Sequence, residues 1–185
     1  MNPFDVLSAD HARLFELTDE LTGRAGDPTG SQTGRRRLAR QLVMEASAHE
    51  AVEEQFFWPL VRDRLKDGRA LALAGVAQEV GSRKLLHDLD HTGSGDDTFT
   101  TMVFSAASRI RNHVTYEEGQ LWPKLQLALD PDELDRLGTQ LEKAKRTAPT
   151  RPHPHVPPDS QLLRALVPWA GRLDRVLDVL TLRGR

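Results

Sequence analysis

His49-Glu-Ala-Val-Glu53-Glu54, followed by Trp58-Pro59, recurs as His113-Val-Thr-Tyr-Glu117-Glu118, followed by Trp122-Pro123. The histidine, both glutamates, the tryptophan and the proline all repeat at one offset of 64 residues, as 113 stands from 49. The shared core is His-x-x-x-Glu. Residues four apart on a helix lie on one face, one turn above each other, so each copy aims an imidazole and a carboxylate at the same point. Between the copies lies a second same-face pair, His87-x-x-x-His91, and near the start lies His11. Five of the seven histidines and two glutamates thus form a pattern suited to surrounding a pair of metal ions.

A lone helical histidine is more often a core or surface residue than a ligand. The constellation changes that judgement. Buried carboxylates without partners are costly, and a metal pair compensates them. Imidazole and carboxylate together form a donor set that iron, manganese and zinc accept without thiolate. Seven protein donors exceed the three or four that one zinc needs, and they suit two ions bridged by carboxylates with positions left open for a small molecule. The ferritin-like Glu-x-x-His arrangement has the opposite order and a spacing of three, which argues against that relationship.

The donors must be held by helices. Asn2-Pro3 caps a first helix in which Phe4, Leu7, Leu14, Leu17 and Leu21 recur at helical spacing. A Gly-, Pro-, Ser- and Thr-rich stretch, 23–34, reads as a loop. A long second helix is expected over about 32–66, bent at Pro59, and a third over about 71–90. A fourth is expected over about 98–127, bent at Pro123, and a short fifth from Asp130-Pro131 to about Lys145. The expected fold is all-α: an antiparallel up-down four-helix bundle over 1–146 with a short extra helix. His11 then lies on the first helix, the repeated motifs on the second and fourth, and His87 with His91 on the third. Residues 147–160, with five prolines, read as an extended linker. Residues 161–185 read as a C-terminal amphipathic helix, expected to dock on the bundle or on another subunit.

Bulk properties exclude several classes. The 185 residues carry a net charge of −2, are 38% hydrophobic and 28% charged, and contain no cysteine. Disulfides and thiolate metal sites are therefore ruled out. No basic face for nucleic acid is evident, and Arg35-Arg36-Arg37 is too short to supply one. No apolar run approaches a membrane span, Asp174 and Asp178 interrupt the arginines of the last helix, and the first residues lack a signal-peptide pattern. A cytoplasmic protein is expected.

Asp10-His11, His49-x-x-x-Glu53-Glu54 with Pro59, His87-x-x-x-His91, and His113-x-x-x-Glu117-Glu118 with Pro123 together resemble the hemerythrin-like (HHE cation-binding) proteins. The resemblance covers about residues 3–127. It implies a non-haem di-iron centre that engages O2, H2O2 or NO, with iron ahead of manganese or zinc. By it, His11, His49, His87, His91 and His113 bind iron, while Glu53 and Glu117 bridge. The oxygen-carrying branch ends in His-x-x-x-x-Asp; here glutamates stand at both +4 and +5. Glu117 shares the face of His113, whereas Glu118 is turned away by roughly 140°. The pattern is closer to the actinobacterial hemerythrin-like proteins, as is the stretch Pro149-Thr-Arg-Pro-His-Pro-His155, and this implies peroxide breakdown or redox sensing. A non-enzymatic O2, NO or iron sensor is the alternative.

Tyr116 is a candidate proton donor to the pocket, or else a core aromatic with its hydroxyl at the surface. Glu54 and Glu118 either orient ligands or face solvent. Asp10 and Asp90 read as surface residues. Trp58 and Trp122 read as packing residues where the helices bend.

Overall fold

The computed structural model describes residues 1–25, 31–95, 97–153 and 171–179. Every regular element among them is helical: α1 (Pro3–Ala25), α2 (Gln32–Val52), α3 (Trp58–Arg64), α4 (Gly68–His91), α5 (Asp97–Tyr116), α6 (Trp122–Ala128), α7 (Pro131–Lys145) and α8 (171–179). π-helical turns, Glu53–Phe57 and Glu117–Leu121, join α2 to α3 and α5 to α6. Four long rods result. α1 packs between α2 and α5, and α4 packs against α5 and the α2–α3 rod. This is the expected up-down bundle, with α7 laid across α1 and α2.

The two bends have one local cause. Pro59 and Pro123 have no N–H to give to the helical ladder, and their rings crowd the carbonyl four residues back. The preceding turn widens instead. The Trp58 N–H reaches Glu53 O, and the Trp122 N–H reaches Glu117 O. The repeated glutamates thus each open a π turn. Such turns are rare and gather at functional sites.

The apolar core is split. One cluster contains Phe4, Leu7, Phe57, Trp58, Val61, Leu121, Trp122, Leu125 and Leu141. The other contains Leu14, Leu17, Leu21, Leu42, Leu86, Leu89, Phe99 and Val103. Along each rod the break falls at the same height: His11 between Leu7 and Leu14, His49 and Glu53 between Ala46 and Phe57, Glu79 and Arg83 between Ala72 and Leu86, His113 and Glu117 between Ile110 and Leu121. A buried polar layer lies between two greasy ones.

Gly75 lies under Trp58. A Cβ there would stand 2.1 Å from the indole ring. Alanine is ordinarily worth about 1 kcal/mol more than glycine inside a helix. Gly75→Ala is nevertheless expected to destabilise the fold by about 1–3 kcal/mol, because the indole must move. Urea unfolding measures it; a stabilised variant would mean that the ring is not packed there.

The last described helix is pinned by its acidic face. Asp174 accepts from the Thr150 and Arg151 backbone N–H groups, each at 3.1 Å, and Asp178 pairs with the Arg151 guanidinium at 3.0 Å. These aspartates anchor α8 to residues 150–151. Residues 154–170 and 180–185, which carry half of the expected linker, His155 and the ends of the expected last helix, lie outside the described residues.

Candidate metal centre

Two groups of donors meet in the polar layer. The first is His11, His49, Glu53 and Glu117; the second is Glu53, Glu79 and His113. Within each group the donor atoms all lie within 4.8 Å of one another, and every residue is buried. Glu53 belongs to both. Glu117 also spans them, with one oxygen 3.2 Å from His11 Nε2 and the other 3.2 Å from His113 Nε2. His49 Nε2 lies 3.3 Å from Glu53.

The inward atoms lack hydrogen-bond partners. His11 Nε2, His49 Nε2, His113 Nε2, both oxygens of Glu53, both of Glu117 and Oε2 of Glu79 are buried without one. Buried polar atoms are nearly always paired, so a convergent set of orphans has the character of a place that could hold cations. Nitrogen and carboxylate oxygen in this mixture fit iron, manganese or zinc. The charge fits as well. Five carboxylates, Glu50, Glu53, Glu54, Glu79 and Glu117, gather in and beside the layer with one guanidinium, Arg83, which pairs with Glu50, Glu54 and Glu79; the balance is four negative charges, which two divalent ions would cancel.

Two of the three outward ring atoms are hydrogen-bonded, and the third, on His49, has a carboxylate within ion-pair distance, the kind of support that orients a ligating imidazole. His11 Nδ1 meets Glu118 Oε1 at 2.7 Å, and His49 Nδ1 lies 3.5 Å from Asp10, which in turn holds Lys145. His113 Nδ1 faces Gln78 Oε1 at 3.3 Å. Trp122 stacks on His11 at 5.4 Å, and Trp58 donates its indole N–H to Glu79. Glu54 binds Arg83 at 2.6 Å.

Without metal these groups distort each other's titration. Burial, and then Glu117, push Glu53 well above the ordinary carboxyl range. Burial, and then Glu53, do the same to Glu79. Burial drives Glu50 up to about 7 against the pull of Arg83. Burial opposes ionisation of Glu117 too, but His113 and His11 overcome it and hold that carboxyl low. His113 rises to about 9 because Glu117, Glu79 and Glu50 outweigh its burial. His49 is lowered by burial, against Asp10. Glu53 protonated beside Glu117 ionised is what two close carboxylates must do.

The structure gathers five of the seven donors named from sequence: His11, His49, Glu53, His113 and Glu117. It does not bring His87 and His91 to them. Their rings lie 4.4 Å from each other on the last turn of α4, and His91 is exposed, with Nδ1 on the His87 carbonyl at 2.7 Å. Glu79 and Arg83 occupy the corresponding face of α4 at the height of the site. Tyr116 is also turned away: its hydroxyl donates to Leu71 O at 2.9 Å. Glu118, half-exposed, binds His11 Nδ1, and Asp10, expected at the surface, lies 3.5 Å from His49 Nδ1; the two tryptophans touch the polar layer as well as packing the bends.

Comparison with known proteins accords with this geometry. The family model described as Hemerythrin HHE cation binding domain matches residues 2–125. The crystal structure of a hemerythrin HHE cation binding domain-containing protein from Mycobacterium kansasii superposes with a TM-score of 0.68 at 18% identity, covering 100% of this chain and 95% of that one. At that identity the likeness concerns the fold. A protein named DNA nickase from a Nostoc species is 26% identical over 145 residues, which is 78% of this chain but 39% of that protein. An uncharacterised hemerythrin-like protein of Schizosaccharomyces pombe is 21% identical over 179 residues, 95% of this chain and 85% of that one.

Proposed function

This chain belongs to the hemerythrin HHE cation-binding family, and on its own donor set we propose that it holds two iron ions side by side and decomposes hydrogen peroxide. The observation that carries the dinuclear reading is Glu53, fully buried, shared by both donor groups and without a hydrogen bond on either oxygen. One ion would leave about half of the buried negative charge uncompensated.

Two irons so held supply a two-electron couple, which is what 2 H2O2 → 2 H2O + O2 requires. One peroxide gives up two electrons and two protons to become O2; the other takes them up, its O–O bond breaks, and two waters leave. No outside reductant is needed. The chain's own contribution is enclosure and orientation. The two apolar clusters keep bulk water from the polar layer, and Glu118, Asp10 and Gln78 fix the imidazoles. Ligands this deeply buried admit only very small reactants. A cleft of about 520 Å³ lined by Glu54, Pro59, Ala72, Leu73 and Val76 has Trp58 in its wall, and the indole of that tryptophan donates to Glu79. Untagged protein carrying about two irons per chain should evolve O2 from H2O2, and His49→Ala should not. A two-iron protein without turnover would end the peroxide reading; one zinc per chain would end the di-iron one.

One observation favours a second reading, a sensor. His49 touches Asp10, Asp10 holds the Lys145 side chain, and the Lys145 carbonyl accepts from Arg175 on α8 at 3.1 Å. A ligand imidazole is thus three contacts from the C-terminal helix. Removal of metal is expected to speed tryptic cleavage at Lys145 and Arg146 several-fold in the intact protein, and Asp10→Asn to abolish the difference. Equal cleavage with and without metal would remove the support for coupling. Among the described residues no helix is long and apolar enough to cross a membrane.

A further inference from the structure

The two positions of the centre are unlike. The first has two imidazoles, His11 and His49, with Glu53 and Glu117. The second has a single imidazole, His113, with Glu53 and Glu79, and a permanent cation stands beside it. Arg83 binds Glu54 at 2.6 Å and Glu50 at 3.4 Å, and lies 3.9 Å from Glu79 Oε2. That oxygen has no hydrogen bond, and Oε1 of the same carboxylate is taken by the Trp58 indole. Glu79 Oε1 is also the oxygen that faces His113 Nε2, at 3.8 Å, so whichever oxygen an ion in the second position takes belongs to a carboxylate under the field of Arg83.

We infer that the positions fill in order: the His11–His49 position binds first and tightly, and Arg83 holds the His113–Glu79 position at lower affinity. The inference rests on the two-ion reading above. A guanidinium does not lose its proton at any physiological pH, so it cannot step aside by deprotonation as a lysine could. At short range and low effective dielectric a fixed unit charge is worth at least a factor of ten in the binding of a divalent ion, and about tenfold or more is the separation expected. Ligand count acts in the same direction, since the first group brings four residues together and the second three. The consequence is a protein with a stable one-ion form at low metal and a two-ion form only when metal is plentiful.

The test is titration of the full-length, metal-stripped protein with Mn2+, following free Mn2+ by its spin-resonance signal and indole emission in parallel. The wild type should show two stages separated by about tenfold or more in Kd. His49→Ala should remove the tight stage and His113→Ala the weak one. Arg83→Met should draw the weak stage toward the tight one by about the same factor. Where Arg83→Met fails to fold, Arg83→Gln and the two histidine variants carry the test. Two equal stages, a reversed order, or a weak stage unmoved by loss of Arg83 would overturn the inference while leaving a two-ion centre standing. A single equivalent in both wild type and Arg83 variants would overturn the two-ion reading itself.

Discussion

Glu53→Gln should empty most of the centre, taking metal from about two ions per chain to below one. Glutamine keeps the size and the π turn that starts at residue 53, but an amide cannot bridge two cations as a carboxylate does. Each imidazole serves one donor group whereas Glu53 serves both, so this substitution should exceed His11→Ala or His113→Ala. It should also reverse sign with conditions. In excess metal, an ion pair bound a thousandfold above its Kd stabilises the native state by about 4 kcal/mol, and the variant forfeits most of that. With metal chelated, the variant should be the more stable form, because a buried carboxyl crowded by Glu117 has been replaced by a neutral group. Elemental analysis and thermal unfolding with and without chelator measure both halves. A Glu53→Gln protein that keeps two ions would remove the bridging role.

Much of this was readable from the 64-residue repeat, because it fixes like residues at like heights on two rods. The π turns follow from Pro59 and Pro123, although a kink was the form expected for them. What the repeat could not fix is the height of α4 against α2 and α5. His87 and His91 do share a face with each other, but height decides coordination. Glu79 and His87 are eight residues apart, roughly 12 Å along the axis. The buried stripe of α4 runs Ala72, Gly75, Glu79, Ser82, Arg83, Leu86 and Leu89, and His87 falls one residue off it, turned by roughly 100°. That stripe was the available signal. A Glu79-x-x-x-Arg83 pair embedded in an otherwise small or apolar face calls for a buried role, whereas two histidines beside Asp88 and Asp90 do not. The place of Asp10, and the choice between the two readings of Glu118, were hidden for a different reason. Ideal helical phase puts Glu118 far from the His113 face, and its partner, His11, comes from another helix altogether.

The metal-free protein is expected to become more stable on acidification, opposite to the usual behaviour of a carboxylate-rich fold. Glu50, raised to about 7, and Glu53 and Glu79, raised well above the ordinary carboxyl range, keep protons in the native state that the unfolded chain releases near 4.5. Their contribution is intact below pH 4.5 and is lost as pH rises through the folded values. His113, raised to about 9, acts in the same direction: its contribution is complete below 6.5 and is lost as pH climbs through 9. His49, lowered by burial, opposes them, gaining as pH rises through 6.5. Glu117 is held low, so its contribution fades only below 4.5, outside this window. Three carboxyls and one imidazole against one imidazole leave the native state with more bound protons between pH 5 and 9, and each such proton is worth about 1.4 kcal/mol per pH unit. Going from pH 8 to pH 5.5 should then raise Tm by roughly 5 °C or more in the presence of chelator. With metal bound the slope must invert, since protons and ions compete for the same atoms and acid releases the ions. Calorimetric scans across this range, with chelator and with metal, should give curves that converge toward low pH. Parallel curves, or a metal-free Tm that falls on acidification, would show that the buried carboxyls are not held protonated, and the cation-cavity account of the polar layer would fail with them.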